Sequence, residues 1–256
     1  MGRERKAKQC APSTPGARYF DCSSAAIGIA WWTASMPWIE QPIHFIDFEG
    51  SVASGILEYG VVTLAGGQVV AARTRLCRAI GRVRAEDAAV HGLYEDDLAG
   101  YAPFADDWEY FAALRESGPF AAHFAGAENS MIKSVWPYPR MSPDFARPGE
   151  KAAEWGPWID SARLFAQFFP GIQSGRLENL VADCGLQARL EALAAAHCPP
   201  PRRRYHAALY DALAGACLLA RLAAEPAAAG KSMGWLLAMS TLNPEKRDAL
   251  QQKRLF

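Results

Sequence analysis

The sequence contains no C-x-x-C pair. Its six cysteines (Cys10, Cys22, Cys77, Cys184, Cys198 and Cys217) are scattered along the chain. That pattern speaks against a zinc ribbon or a disulfide framework and fits a reducing compartment, taken here as cytoplasmic. Net charge is also missing, because 27 Lys and Arg balance 27 Asp and Glu. No global basic field draws in nucleic acid, so any such binding depends on a local patch. No apolar run is long enough to span a bilayer, and no membrane partner is expected. Internal repeats are absent too. Apolar side chains are plentiful, at half of the 256 residues, enough to build the core of one good-sized domain or two small ones.

The basic start "MGRERKAKQC" and the apolar "AAIGIAWW" at 25–32 are separated by "APSTPGARYFDCSS". A signal peptide would join its charges directly to a longer apolar core. Residues 1–40 are therefore read as a disordered leader, or as the product of an upstream start codon with the true beginning at Met36. The main domain is expected over 41–223, with a helical tail over 224–256.

Within that domain, "GILEYGVVTLAGGQVVAARTRL" reads as two β-rich runs around a Gly66-Gly67 turn. With the preceding "IHFIDFEGS" (43–51) it makes three antiparallel strands. "AEDAAVHGL" and "FADDWEYFAALRES" have helical spacing, and 118–125 is a short buried-strand candidate ahead of a helix, "ENSMIKSVW". Five prolines between 137 and 157 predict a loop. "WID" is a further short strand. Ser161 opens a helix, Gly185 stops the next, another spans "ARLEALAAAH", and a long one covers 206–223. This order predicts an α/β fold: a mixed sheet, three antiparallel strands plus parallel ones, flanked by helices.

Two places in this plan carry carboxylates that need explaining. On a strand, Ile43, Phe45, Asp47 and Glu49 share one face, and His44, Ile46 and Phe48 the other. Both faces are apolar, as in a covered central strand. Two like charges about 7 Å apart there repel and lose solvent, which a bound cation would relieve. Alternatively the strand ends at Glu49 and both acids face water. The second place is "AALYDALAGACLLA" (207–220), apolar all round except for Asp211. A helix of that composition is buried, so Asp211 needs a partner. His206, five residues earlier, would point about 140° away on a continuous helix. To share a site with Asp211 it must sit at or before the helix start; taken alone, it is equally a solvated helix-end residue.

Taken together these segments resemble the DEDDh 3′–5′ exonucleases, the DnaQ-like branch of the ribonuclease H-like superfamily. "FIDFEGS" is similar to their first motif (Asp47, Glu49). "AHFAGAENSMI" is similar to the second, with His123 and, five residues on, Glu128. "HAALYDALA" matches the third, with His206 and Asp211. The resemblance covers roughly 43–222 and implies a ribonuclease H-like fold. It also implies a two-metal hydrolase that attacks single-stranded DNA or RNA 3′ ends and releases nucleoside 5′-monophosphates. Oxygen-rich ligands favour Mg²⁺ or Mn²⁺. Asp47, Glu49 and Asp211 would hold one ion, Asp47 would bridge to a second, and Glu128 would support that second ion. His206 would take the proton of the attacking water.

The chain departs from the family at two points. Glu128 stands where aspartate is usual, and its extra methylene still reaches a metal directly or through water; neutral Asn129 is a poorer candidate. Gly50 and Ser51 replace the usual continuation of the first motif, and with Phe48 they are the candidate contacts to the terminal nucleotide. His123 reads as structural. Arg202, Arg203 and Arg204 in "PPPRRRY" are either a solvated loop or a phosphate clamp beside the site, for which arginine forks are suited. At the C-terminus, Gln252, Leu255 and Phe256 resemble a bacterial sliding-clamp-binding peptide. The competing function is a catalytically weakened nucleic-acid-binding module in which Glu128 spoils the second metal position.

Overall fold

The computed structural model describes residues 36–241. Residues 1–35 of the expected 1–40 leader and the C-terminal Gln252, Leu255 and Phe256 lie outside the described residues.

Strand β1 (Ile43–Ser51) alternates as its sequence requires. Ile43 and Phe45 enter one core, and Ile46 and Phe48 enter another on the opposite face. β2 (Gly55–Ala65) and β3 (Gln68–Leu76) turn at Gly66-Gly67, both at positive φ. After β3 come α1 (Ala85–His91), α2 (Glu95–Leu98), α3 (Trp108–Ser117), β4 (Phe120–Ala122) and α4 (Ala125–Val135). The proline-rich stretch holds only a small ribbon, β5 (Ser142–Pro143) with β6 (Lys151–Ala152). Then follow β7 (Ile159–Asp160), α5 (Ser161–Phe168), α6 (Leu177–Asp183), α7 (Gln187–His197), α8 (Ala208–Leu222) and α9 (Met233–Met239). The five-stranded sheet has the order β3-β2-β1-β4-β7; the first three strands are antiparallel, and β4 and β7 continue the sheet in parallel.

Helix α8 covers one face of this sheet, and every residue in it except Ala220 and Arg221 is buried. Each of its leucines contributes about 1.5–3 kcal/mol by leaving water. Two glycines bring it close. A Cβ on Gly60 would lie 2.3 Å from the Ala208 backbone, and one on Gly215 would lie 1.9 Å from the Phe45 ring. The opposite face is aromatic, with Phe48, Phe104, Phe111, Phe120 and Trp155 packed together. Arg115 pins the proline-rich loop by donating to the carbonyls of Pro143, Glu154 and Gly156 at 2.9–3.0 Å. Burial pushes its guanidinium down to about 10.

At the N-terminal boundary, Trp38 is fully buried and its indole N–H donates to the Ala228 carbonyl at 3.0 Å. Residues just before 41 are thus built into the domain. The four cysteines among the described residues are free. No helix there is long and apolar enough to cross a membrane.

Candidate metal centre

β4 is short. It pairs with β1 only at His44 and Phe45, while the His44 N–H points toward it, to Pro119 O at 3.1 Å. By the strand period, the Phe48 N–H points the same way, beyond the end of β4. There the first turn of α4 arrives, and the buried Glu128 carboxylate lies near the Phe48 N–H, which favours its charged form. From the other direction, α8 begins over β2 at Gly60, which stands opposite Asp47 in the ladder. Asp211, in the first turn of α8, is thereby carried to the same end of β1 as Asp47 and Glu49.

His206 does not belong to α8. It has φ 61°, in the left-handed region, and its backbone N–H donates to Asp211 Oδ2 at 3.0 Å. That turn resolves the angular problem of the H-x4-D spacing. Potential ligand atoms of Glu49, His206 and Asp211 all lie within 4.8 Å of one another.

The electrostatics are those of crowded, desolvated acids. Burial drives Asp47 well above its usual 3.8, with Glu128, Asp211 and Glu49 adding to the rise. Burial, then Asp211 and Glu58, push Glu49 up to about 8, partly offset by Arg202 and Arg204. Glu128 also reaches about 8, through burial and Glu49, against the Phe48 N–H. Asp211 reaches about 7, where burial outweighs the His206 N–H. Glu128 Oε2 and Asp211 Oδ1 are buried with no hydrogen-bond partner.

No family model matches the sequence, and no curated protein is similar to it by sequence alone. Solved structures are similar in fold. Exonuclease X, in complex with 5′ overhanging duplex DNA, superposes with a TM-score of 0.52 at 23% identity, over 76% of this chain and 99% of that one. The nuclease domain of 3′hExo, a DEDDh family member bound to rAMP, gives 0.51 at 13%, over 73% and 94%. E. coli Exonuclease I in complex with a dT13 oligonucleotide gives 0.51 at 12%, over 72% of this chain and 41% of that one. The chain has the fold of the DEDDh exonucleases.

On this DEDDh fold the donor set suits a divalent cation. Two orphaned carboxylate oxygens, buried among acids that repel one another, are what a hard cation would satisfy. The charge also balances. A fifth acid, Glu58, stands across the ladder from Glu49, but it is ion-paired to Arg202. The four acids left, Asp47, Glu49, Glu128 and Asp211, match two divalent ions. Sequence reasoning missed Glu58; the available signal was a lone acid inside the apolar run "GILEYGVV".

Other expected site residues are placed differently. The Phe48 ring is buried against Phe104 and Phe111, at 5.4 and 5.9 Å between centroids, so only its backbone serves the site. Gly50 sits at a register shift in β1 with φ 125°, and a Cβ there would meet Gly55 O at 2.3 Å. The Ser51 hydroxyl is occupied within its turn, taking the Ser54 N–H and lying 3.1 Å from Ser54 Oγ. The three arginines do not form an open clamp. Arg202 is committed to Glu58 and to two carbonyls. Arg203 donates to Ala195 and Cys198 carbonyls at the end of α7, and Arg204 donates to His91 O at the end of α1. Helix carbonyls left over at C-termini are natural acceptors for such forks. His123 ties down the loop before α6. Its Nε2–H donates to Gly175 O at 2.7 Å and its Nδ1 lies 2.9 Å from Ser161 Oγ. Burial lowers its pKa, and the neutral ring suits this donor–acceptor role. Asn129 accepts from Trp158 Nε1 at 3.0 Å.

Proposed function

We propose that the chain is a metal-dependent 3′–5′ exonuclease acting on single-stranded DNA or RNA ends and releasing nucleoside 5′-monophosphates. The observation that carries this reading is the meeting of Asp47, Glu49, Glu128 and Asp211, with two buried oxygens unpartnered, beside a histidine held outside its helix. The similarity in fold to exonucleases, several of them in complex with nucleic acid, supports it.

Asp47, Glu49 and Asp211 would hold one ion, and Asp47 and Glu128 the second, with Mg²⁺ or Mn²⁺ suited to oxygen donors. When bound, such a pair neutralises the attacking and leaving oxygens of an in-line displacement. The imidazole of His206, exposed next to Glu49 and Asp211, takes the proton of the attacking water. The bond from phosphorus to the 3′ oxygen of the penultimate nucleotide breaks, and that oxygen leaves on the shortened strand. Arg204 is exposed and close enough to offset the charge of Glu49. It is the one of the three arginines best placed to meet a phosphate. Gly50 contributes backbone rather than side chain.

The test is digestion of 5′-labelled single-stranded DNA and RNA oligomers with Mg²⁺ or Mn²⁺. A ladder shortening from the 3′ end, absent in Asp211→Ala, is the expected result. An inactive wild type with an active Glu128→Asp variant would favour the weakened binding module; inactivity of both would leave the proposed chemistry unsupported.

A further inference from the structure

Glu58 is buried to 3% exposure. Its carboxylate is held by the chain on all sides. Oε1 accepts from Arg202 Nε at 3.1 Å, and Oε2 accepts from Arg202 Nη2 and from the Ala208 N–H at 3.1 Å. Arg202 in turn donates from Nη2 to the His206 carbonyl at 3.2 Å and from Nη1 to the His91 carbonyl at 2.6 Å. The carbonyl of His206 and the N–H two residues later are thus tied to one ion pair, while the N–H of His206 is tied to Asp211. His206 is exposed and sits in the left-handed region, a conformation that a non-glycine residue keeps only when its surroundings impose it. No packed ring or helix hydrogen bond holds it there; the bonds to Glu58–Arg202 and Asp211 do.

We propose that the Glu58–Arg202 pair is a positioning device: it holds the left-handed turn at His206 and the start of α8, aiming the imidazole and Asp211 at one point. The inference rests on the nuclease reading of the site. A buried ion pair is a weak source of stability beside an apolar pair of equal volume. Here, however, its spare bonding capacity is spent on residues 206–208. The planar fork of arginine is required, because its three nitrogens serve four acceptor oxygens on three residues; a lysine would balance the charge without holding the turn.

The variants are Arg202→Lys, which keeps the charge, and Glu58→Gln, which keeps an acceptor for the Ala208 N–H. In Arg202→Lys, kcat is expected to fall about 100-fold, the scale of a small misplacement of a reacting group, with KM for the oligonucleotide within about threefold. The His206 imidazole Hε1–Cε1 NMR cross-peak, assigned by its loss in His206→Asn, should shift in both variants without metal or substrate. Wild-type kcat and an unmoved cross-peak in both variants, with only a lower melting temperature, would overturn the proposal. A fall in kcat with an unmoved cross-peak would overturn it as well. Should the wild type degrade no nucleic acid, the nuclease reading fails, and the cross-peak alone decides the positioning role.

Discussion

Replacing Asp211 by asparagine should make the metal-free protein more stable, and the gain should depend on pH. Asp211 is 8% exposed, and its carboxyl is pushed from 3.8 up to about 7, by burial first. At one pKa unit per 1.36 kcal/mol, a charged Asp211 costs up to about 4 kcal/mol of folding stability. The sign follows from proton binding. Below the unfolded value both states are protonated and no cost arises. As pH rises from about 4 to about 7, the unfolded chain loses its proton first and stability falls; above about 7 the whole cost is present. Asparagine keeps an acceptor for the His206 N–H and puts a donor where Oδ1 has no partner. Thermal unfolding in chelator at pH 8 should therefore show Asp211→Asn melting above wild type. The scale is about 2–4 °C for each kcal/mol in a chain of this size. At pH 4 the two should coincide. Mn²⁺ at pH 8 should raise the melting temperature of the wild type more than that of the variant, which loses one of the two sites. A variant less stable than wild type at pH 8, or an equal gain at both pH values, would refute the account of Asp211 as a desolvated acid awaiting a cation.

Glu128→Gln keeps an acceptor for the Phe48 N–H but removes the charge, so calorimetric titration with Mn²⁺ should fall from two sites to one, and cleavage with it; two sites in the variant would remove Glu128 from the ligand set. Gly60→Ala would place a methyl 2.3 Å from the Ala208 backbone. Overpacking of this kind costs about 1–3 kcal/mol, so its urea midpoint should drop and its Mn²⁺ affinity should weaken as Asp211 moves away from Asp47. An unchanged midpoint and affinity would show that α8 does not depend on this contact.

Much of the site could be read from local pattern. The period of two along "IHFIDFEGS" put Asp47 and Glu49 on one face, and the unbroken apolar surface of 207–220 required a partner for Asp211. For His206 to share a site with Asp211, the roughly 140° between them on a helix required it to sit at or before the start of α8, and it occupies the left-handed turn there. The Gly66-Gly67 turn was equally legible. These conclusions need only the geometry of a single strand or helix and the cost of burying a charge.

Tertiary structure decided the rest, because the deciding contacts join distant residues. Glu58 looked like one more residue of an apolar strand until Arg202, 144 positions away, was found on it. That same contact commits Arg202, one of the three arginines of the expected phosphate clamp, to the interior. Phe48 lies between two acids of the site, yet its ring belongs to the opposite core, where α3 supplies Phe111. Helix α4 starts at Ala125, three residues before the 128 expected from pattern, after the left-handed Phe124. Its entry past the short β4 brings Glu128 to the Phe48 N–H. Sequence determined which side chains could not be left alone in a core; the packing of α8 and α4 on β1 and β2 determined which of them meet, because a long-range contact leaves no periodic trace in the chain.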